Sequence, residues 1–282
     1  MSSDEADVLD GIRNIIFQEP SDYYPPPKPA TFESKTLQTG EALRLRLVGH
    51  NPLWGHHLWN GAQVVTDYLY DHAQDLVHGR TILELGAGAG LPSIAAAIWG
   101  AKQVVVTDYP DEDLVENMRM NIDAAKDVLP KSADIVAKVS LFNERCDIRL
   151  CMLRVFIQGH VWGASTEPLL SCLRPGWCGF DTLILADLLF NHSQHAALVS
   201  TIQSTLVHLP HARALVFFTP YTPWKFDKDM AFFDLARKGG FRVVKVVEKV
   251  MDKVMFKDDR GDELLRRTVF GYELSHEHTG SQ

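Results

Sequence analysis

The chain has 282 residues, 46% apolar and 23% charged, the balance of a globular protein long enough to bury a sizeable core without staples. A formal net charge of -8 argues against nucleic-acid binding, which needs surplus Lys and Arg, and suits a basic protein partner. The four cysteines (Cys146, Cys151, Cys172, Cys178) form no CxxC pair and the histidines are scattered, so neither a disulfide framework nor a metal site is expected.

The N-terminal "MSSDEADVLDGIRN" lacks the basic and apolar regions of a signal peptide, and no apolar run approaches a membrane span, so a cytoplasmic protein is expected. Residues 1–40 read as an irregular extension. Three consecutive prolines in "FQEPSDYYPPPKPATFES" disfavour helix and sheet. Phe17, Tyr23, Tyr24 and Phe32 give it more aromatic surface than a solvated linker, so a disordered tail and a segment wrapping the domain both fit. "ALRLRLVG" (42–49) alternates Leu with Arg, as a half-exposed strand does. A loop with Trp54, His56, His57 and Trp59 follows, then a helical stretch "GAQVVTDYLYDHAQDLV".

From there strands and helices alternate. "TILELG", "QVVVTD", "FDTLILAD" and "ARALVFFTP" read as strands, and "ADIVAK" is a candidate strand. "LPSIAAAIWG", "DEDLVENMRMNIDAAKDVL", "SQHAALVSTIQSTLVHL" and "DKDMAFFDLARKGG" read as helices, and Trp99 is assigned to core packing. "FRVVKVVEKV" and "LRRTVFGYEL" read as a final antiparallel pair. The pattern predicts an α/β fold with a mainly parallel sheet covered on both faces. In such sheets the site lies beyond the carboxyl ends of the strands, where "GAGAG", "TDYPD" and "ADLLFNHS" all fall.

The glycine loop narrows the ligand. It lacks the Lys-Ser/Thr of a Walker loop. Gly86-Ala87-Gly88-Ala89-Gly90 is one residue tighter than the dinucleotide fingerprint, and Glu84 precedes it. This E-x-G-x-G-x-G pattern resembles motif I of the class I S-adenosylmethionine (SAM) methyltransferases. Asp108 ends the next strand, where an acid can accept both ribose hydroxyls. Glycines let the backbone approach the ligand where a Cβ would block it.

Four stretches, "FQEPSDYYPPP", "LRLVGHNPLWGHHLWN", "VVVTDYPDEDLVENM" and "DLLFNHSQH", resemble a fungal subgroup of the family 16 seven-strand methyltransferases. These enzymes methylate the N-terminal glycine and adjacent lysine of translation elongation factor 1-alpha. They also resemble nicotinamide N-methyltransferases. The resemblance runs from Phe17 to about Leu274. It implies a seven-stranded Rossmann-like class I fold with a final antiparallel strand, over residues 41–275. It implies SAM held by Trp54 or Trp59, the loop Glu84, Gly86, Ala87, Gly88 and Gly90, Asp108, Trp162 and backbone at Ala186. Asp187 and Phe190 would face the accepting nitrogen, with Asp187 orienting the amine and aromatics holding a partly cationic nitrogen. The implied enzyme acts on a protein as a monomer, without nucleic acid, membrane or metal. A small-molecule N-methyltransferase and a non-catalytic SAM-binding module are the alternatives.

His56, His57 and His192 are expected in surface or capping roles, with Asn191 and Ser193 as helix caps. One segment departs from the family: "SLFNERCDIRLCMLRVFIQ" (140–158) separates "ADIVAK" from "GHVWG", which the family joins almost directly. It reads either as a surface insertion or as a retained intron, since Val139-Ser140 and Gln158 can encode intron boundaries. Residues 276–282 read as a disordered tail.

Overall fold

Thr31–Thr36 (β1) and Ala42–Leu47 (β2) pair antiparallel in a two-stranded sheet of their own. The alternation expected of β2 is present: Leu43, Leu45 and Leu47 are buried and Arg44 is exposed. β1 corrects the expectation of an irregular segment up to residue 40. Its side chains are almost all exposed, so no apolar period marks it, and backbone pairing with β2 makes the strand. The computed structural model describes residues 29–49, 51–130, 134–136 and 154–277; the proline run and the aromatics up to Tyr24 lie outside them, as do residues 278–282 of the expected tail 276–282, whereas His276, expected in that tail, is the last residue of a strand.

The main sheet holds Thr81–Leu85 (β3), Gln103–Asp108 (β4), Asp134–Val136 (β5), Arg154–Gly159 (β6), Thr182–Ala186 (β7), Arg213–Phe218 (β8), Phe241–Val250 (β9) and Thr268–His276 (β10). Their order is β5-β6-β4-β3-β7-β8-β10-β9. Among the described residues, β10 alone runs opposite to the other strands of this sheet, antiparallel to both β8 and β9. Without β5 this is the seven-stranded, mainly parallel sheet expected. The third position belongs to β6, which pairs with β4, while the "ADIVAK" stretch supplies the extra edge strand β5.

Strands buried on both faces explain the continuous apolar runs. All five residues of β3 are buried. Ile82 joins the core shared with Asn60–Asp71 (α1), Leu91–Ile98 (α3) and Glu112–Ala124 (α4). Leu83 and Leu85 join the opposite core, with His195–Thr205 (α6) and Phe226–Lys238 (α7). Short helical turns Ala73–Leu76 (α2), Glu167–Leu170 (α5) and Glu263–Arg266 (α8) complete the set. Asp111 caps α4 by accepting from Leu114 N–H at 3.2 Å, with Glu112 and Asp113 in the first turn, favourable to the helix dipole. Trp99 packs in the core and its Nε1–H donates to Thr39 Oγ1 at 3.0 Å.

The chain order reverses between β3 and β7, so the crevice at their carboxyl ends is the expected site. Among the described residues no helix is long and apolar enough to cross a membrane, and no group of three His, Cys, Asp or Glu could hold a metal ion.

Candidate active site

The loop after β3 turns through three left-handed residues, Gly86, Gly88 and Gly90, with φ of +62°, +54° and +74°. At Gly86 the left-handed φ itself favours glycine, and a Cβ there would sit 2.5 Å from the end of the Leu188 side chain, which would have to move. Gly88 is different: a Cβ would meet nothing within 4 Å, because the space before it is open. Hydrogen bonds fix the loop on β4. Ala87 N–H donates to Thr107 O at 2.9 Å and Gly88 N–H to Asp108 Oδ2 at 2.7 Å. Gly90 starts α3 by accepting from Ile94 N–H at 3.0 Å.

Three carboxyl groups surround this loop, Glu84 and Asp187 buried and Asp108 half-buried. Glu84 accepts from both the backbone and the hydroxyl of Ser93, joining the end of β3 to α3. Burial pushes the Glu84 carboxyl up to about 8, against those hydrogen bonds. Asp108 accepts from Gly88 N–H and, at 2.7 Å, from Tyr109 N–H; burial still raises it to about 6. Asp187 follows β7 at φ +54°, a conformation rare for a residue with a side chain. Its Oδ2 accepts from Gly61 N–H at 2.5 Å and its Oδ1 from Thr219 N–H at 2.8 Å. Only 6% exposed, it is pushed by burial up to about 7.

A cavity of about 380 Å³ opens at this end of the sheet. Its wall includes Trp54, Trp59, Glu84, Gly86, Ala87, Gly88, Asp108, Trp162, Ala186, Asp187 and Phe190, so eleven of the residues expected from the sequence converge on it. Gly90 does not line it; its place is the helix start. Both Trp54 and Trp59 are on the wall, joined by Trp59 Nε1–H donating to Trp54 O at 3.1 Å. An open loop face, a half-buried acid at the end of the second parallel strand and an indole on the same wall fit a nucleoside carrying an amino-acid tail. Gly86–Gly88, Asp108 and Trp162 are the residues that would hold SAM.

A second cavity of about 350 Å³ adjoins the first. Trp54, Trp59, Asp187 and Phe190 line both. Tyr221, Lys225, Asp229, Phe256 and Asp259 are on the second wall alone. Phe190 is 52% exposed at the rim, Trp54 47%.

Of the histidines, His57 corrects the surface-or-capping expectation, while His56 and His192 stay partly exposed and line neither cavity. His57 is in the site wall, edge-on to Trp59 at 5.3 Å and to Phe256 at 5.2 Å, and burial, then His56, lowers its pKa. His56 stacks on Trp54 at 5.8 Å. His192 Nε2 lies 2.7 Å from Asp229 Oδ1. No side chain caps the turn after Asn191; Ser193 Oγ–H donates to Asn191 Oδ1 instead, at 2.9 Å.

Four residues escaped the sequence reading. His160 is buried on the first wall, with Nε2 unpartnered among the described residues. Its position beside Trp162 in "GHVWG" was the available signal. Tyr221 and Phe256 have no motif, because they reach the site from distant parts of the chain; Gly61 opens the helical stretch after Trp59 but contributes only its backbone amide.

Structures similar to this one include a candidate SAM-dependent methyltransferase from Streptococcus mutans, with TM-score 0.51 at 11% identity over 87% of this chain and 55% of that one. Another is SMU.776, solved with S-adenosylhomocysteine, with TM-score 0.52 at 11% identity over 91% of this chain and 57% of that one. This chain therefore spans little more than half the length of either. The fold is that of the class I SAM-dependent methyltransferases, and the sequence relatives show the activity. The lysine methyltransferase family model matches residues 38–151. The protein N-terminal and lysine N-methyltransferase efm7 of Emericella nidulans is 44% identical over 92% of this chain and 94% of its own length. Its namesake in Neurospora crassa is 46% identical over 92% and 86%. That in Eremothecium gossypii is 39% identical over 98% and 99%. The chain belongs to this family of protein N-terminal and lysine N-methyltransferases.

Proposed function

We propose that this methyltransferase acts on the N-terminal amine and the adjacent lysine of translation elongation factor 1-alpha, as a cytoplasmic monomer. The observation that carries the protein-acceptor reading is the junction of two cavities at Asp187. One side of that carboxylate has the glycine loop, Asp108 and Trp162; the other has an aromatic and acidic pocket with an exposed rim. Bound SAM supplies a methyl group on a positively charged sulfur, open to attack by a lone pair.

The acceptor must arrive unprotonated. A free α-amine has a pKa of roughly 7.7 to 8.0 and Lys about 10.4, so the N-terminus is the easier acceptor near neutral pH. Asp187 is built for orientation. Its two oxygens are pinned by Gly61 and Thr219, leaving each a further lone pair for an amine N–H. Burial holds the Tyr221 hydroxyl well above its usual range, so it stays a neutral donor beside Asp187. A small acceptor such as nicotinamide would be served by a closed lid. Residues 29–36 line neither cavity, and residues 17–28 lie outside the described chain.

The test is transfer from methyl-labelled SAM to purified elongation factor 1-alpha, with nicotinamide in parallel. Label on the protein, abolished by blocking its N-terminus and mutating the next lysine, is the expected result. Label on nicotinamide alone overturns the reading.

A further inference from the structure

The second cavity contains more aromatic surface than a channel for a small neutral amine needs. Trp59, Tyr221 and Phe256 meet there with ring centroids 5.1, 5.7 and 5.9 Å apart. Their planes cross at 58°, 73° and 63°, so they form a corner of three faces rather than a stack. Asp187, Asp229 and Asp259 line the same cavity. Lys225 is the cation on this wall, and His192 is engaged with Asp229 at 2.7 Å. Phe256 is held in its loop by Arg266, whose Nη1 donates to Phe256 O at 2.8 Å.

We propose that this cavity is a cage for an alkylated ammonium, the methylated form of the acceptor amine. The inference rests on the reading that this chain methylates amines. A methylated ammonium has few N–H groups to hydrogen-bond and spreads its charge over methyl groups. It sheds water more readily than a primary ammonium, and aromatic faces attract it through their quadrupoles. The acids balance its charge without needing direct hydrogen bonds. A primary ammonium, by contrast, keeps its hydration and gains less from three ring faces. The cage therefore favours rebinding of a mono- or dimethylated ammonium next to Asp187; once an N–H proton has passed to solvent, the freed lone pair can take a further methyl, and the trimethylammonium is the end product.

The test uses the full chain saturated with S-adenosylhomocysteine and two short peptides. One begins with N,N,N-trimethylglycine followed by lysine. The other carries a 3,3-dimethylbutanoyl group in its place, which has the same shape and no charge. Calorimetry should show the charged peptide bound at least about 10-fold more tightly, a difference within the range of desolvated cation–π contacts. Phe256→Leu should bring the two affinities within about 2-fold, and Phe256→Tyr should restore the gap. S-adenosylhomocysteine affinity should be unchanged in both variants, showing that they fold. Equal binding of the two peptides, binding of neither, or a preference that survives Phe256→Leu overturns the cage. Methyl transfer to the unmethylated peptide, assayed alongside, separates the two claims: transfer with equal binding sinks the cage alone. A charge preference without transfer sinks the methylation reading and keeps the cage.

Discussion

Asp187 ties three distant pieces of chain to one carboxylate: the end of β7, the start of α1 through Gly61, and the end of β8 through Thr219. Because both oxygens accept backbone N–H groups, Asp187→Asn must turn an NH2 against one of them. That leaves a buried donor unpaired, at a cost of about 1–3 kcal/mol. We expect the variant to melt several degrees lower and to lose methyl transfer by about 100-fold or more. Unchanged melting with full activity would contradict this geometry. The motif around Asp187 was legible in the sequence, since it follows a strand at the functional end of the sheet. Its partners were not, because Gly61 is 126 residues away and contributes only a backbone amide. Titration gives a second prediction. Glu84, Asp108 and Asp187 are all harder to ionise when folded, chiefly through burial. Their contribution to stability is therefore full below the unfolded carboxylate range, near pH 4, and is lost as pH rises through about 6, 7 and 8 in turn. Glu84→Gln should remove the highest part of that loss. Calorimetry of the free protein between pH ~6 and ~8 checks it, and an identical pH slope in the variant would contradict it.

At the scale of elements, the start of α1 is pressed against the end of β7. A Cβ on Gly61 would lie 2.5 Å from Asp187 Oδ2 and 3.0 Å from Phe217 O. Gly61→Ala should push the helix off the carboxylate and cut transfer by about 10-fold or more, with SAM affinity nearly kept. Equal loss of both would show that the contact serves folding alone. The third strand position raises a different question. Asp134 pairs with Arg154, Ile135 with Val155 and Val136 with Phe156, an offset of 20 residues. Val139 to Gln158 is also 20 residues long. Removing it would bring Asp134–Lys138 into the register that Arg154–Gln158 now holds on β4, running straight into Gly159 and His160. We expect this deletion to yield a folded protein with SAM affinity within about 3-fold of the full chain, as calorimetry would show. An insoluble product would show that β6 is indispensable. This element was the hardest to read. Arg154 starts it and charged residues precede it, while "ADIVAK" offered the cleaner apolar run nearby. β3, β4, β7 and β8 were plain, because strands covered on both faces are apolar throughout.

For the whole molecule, the glycine loop and the order of strands made the donor side visible from the sequence. The acceptor side was far less so. Trp59, Tyr221 and Phe256 come from the start of α1, the loop after β8 and the loop after β9, and only folding brings them together. An acidic chain with exposed aromatics, Trp54 and Phe190, at the rim of both cavities suits a flexible basic peptide end. The most direct test of the account is mass spectrometry of the N-terminal peptide of elongation factor 1-alpha after incubation with this chain and SAM. The account predicts whole methyl increments on the first residue's amine and on the lysine beside it, absent with Asp187→Asn. Increments confined to other residues, or an unmodified peptide beside an enzyme that binds SAM, would contradict it.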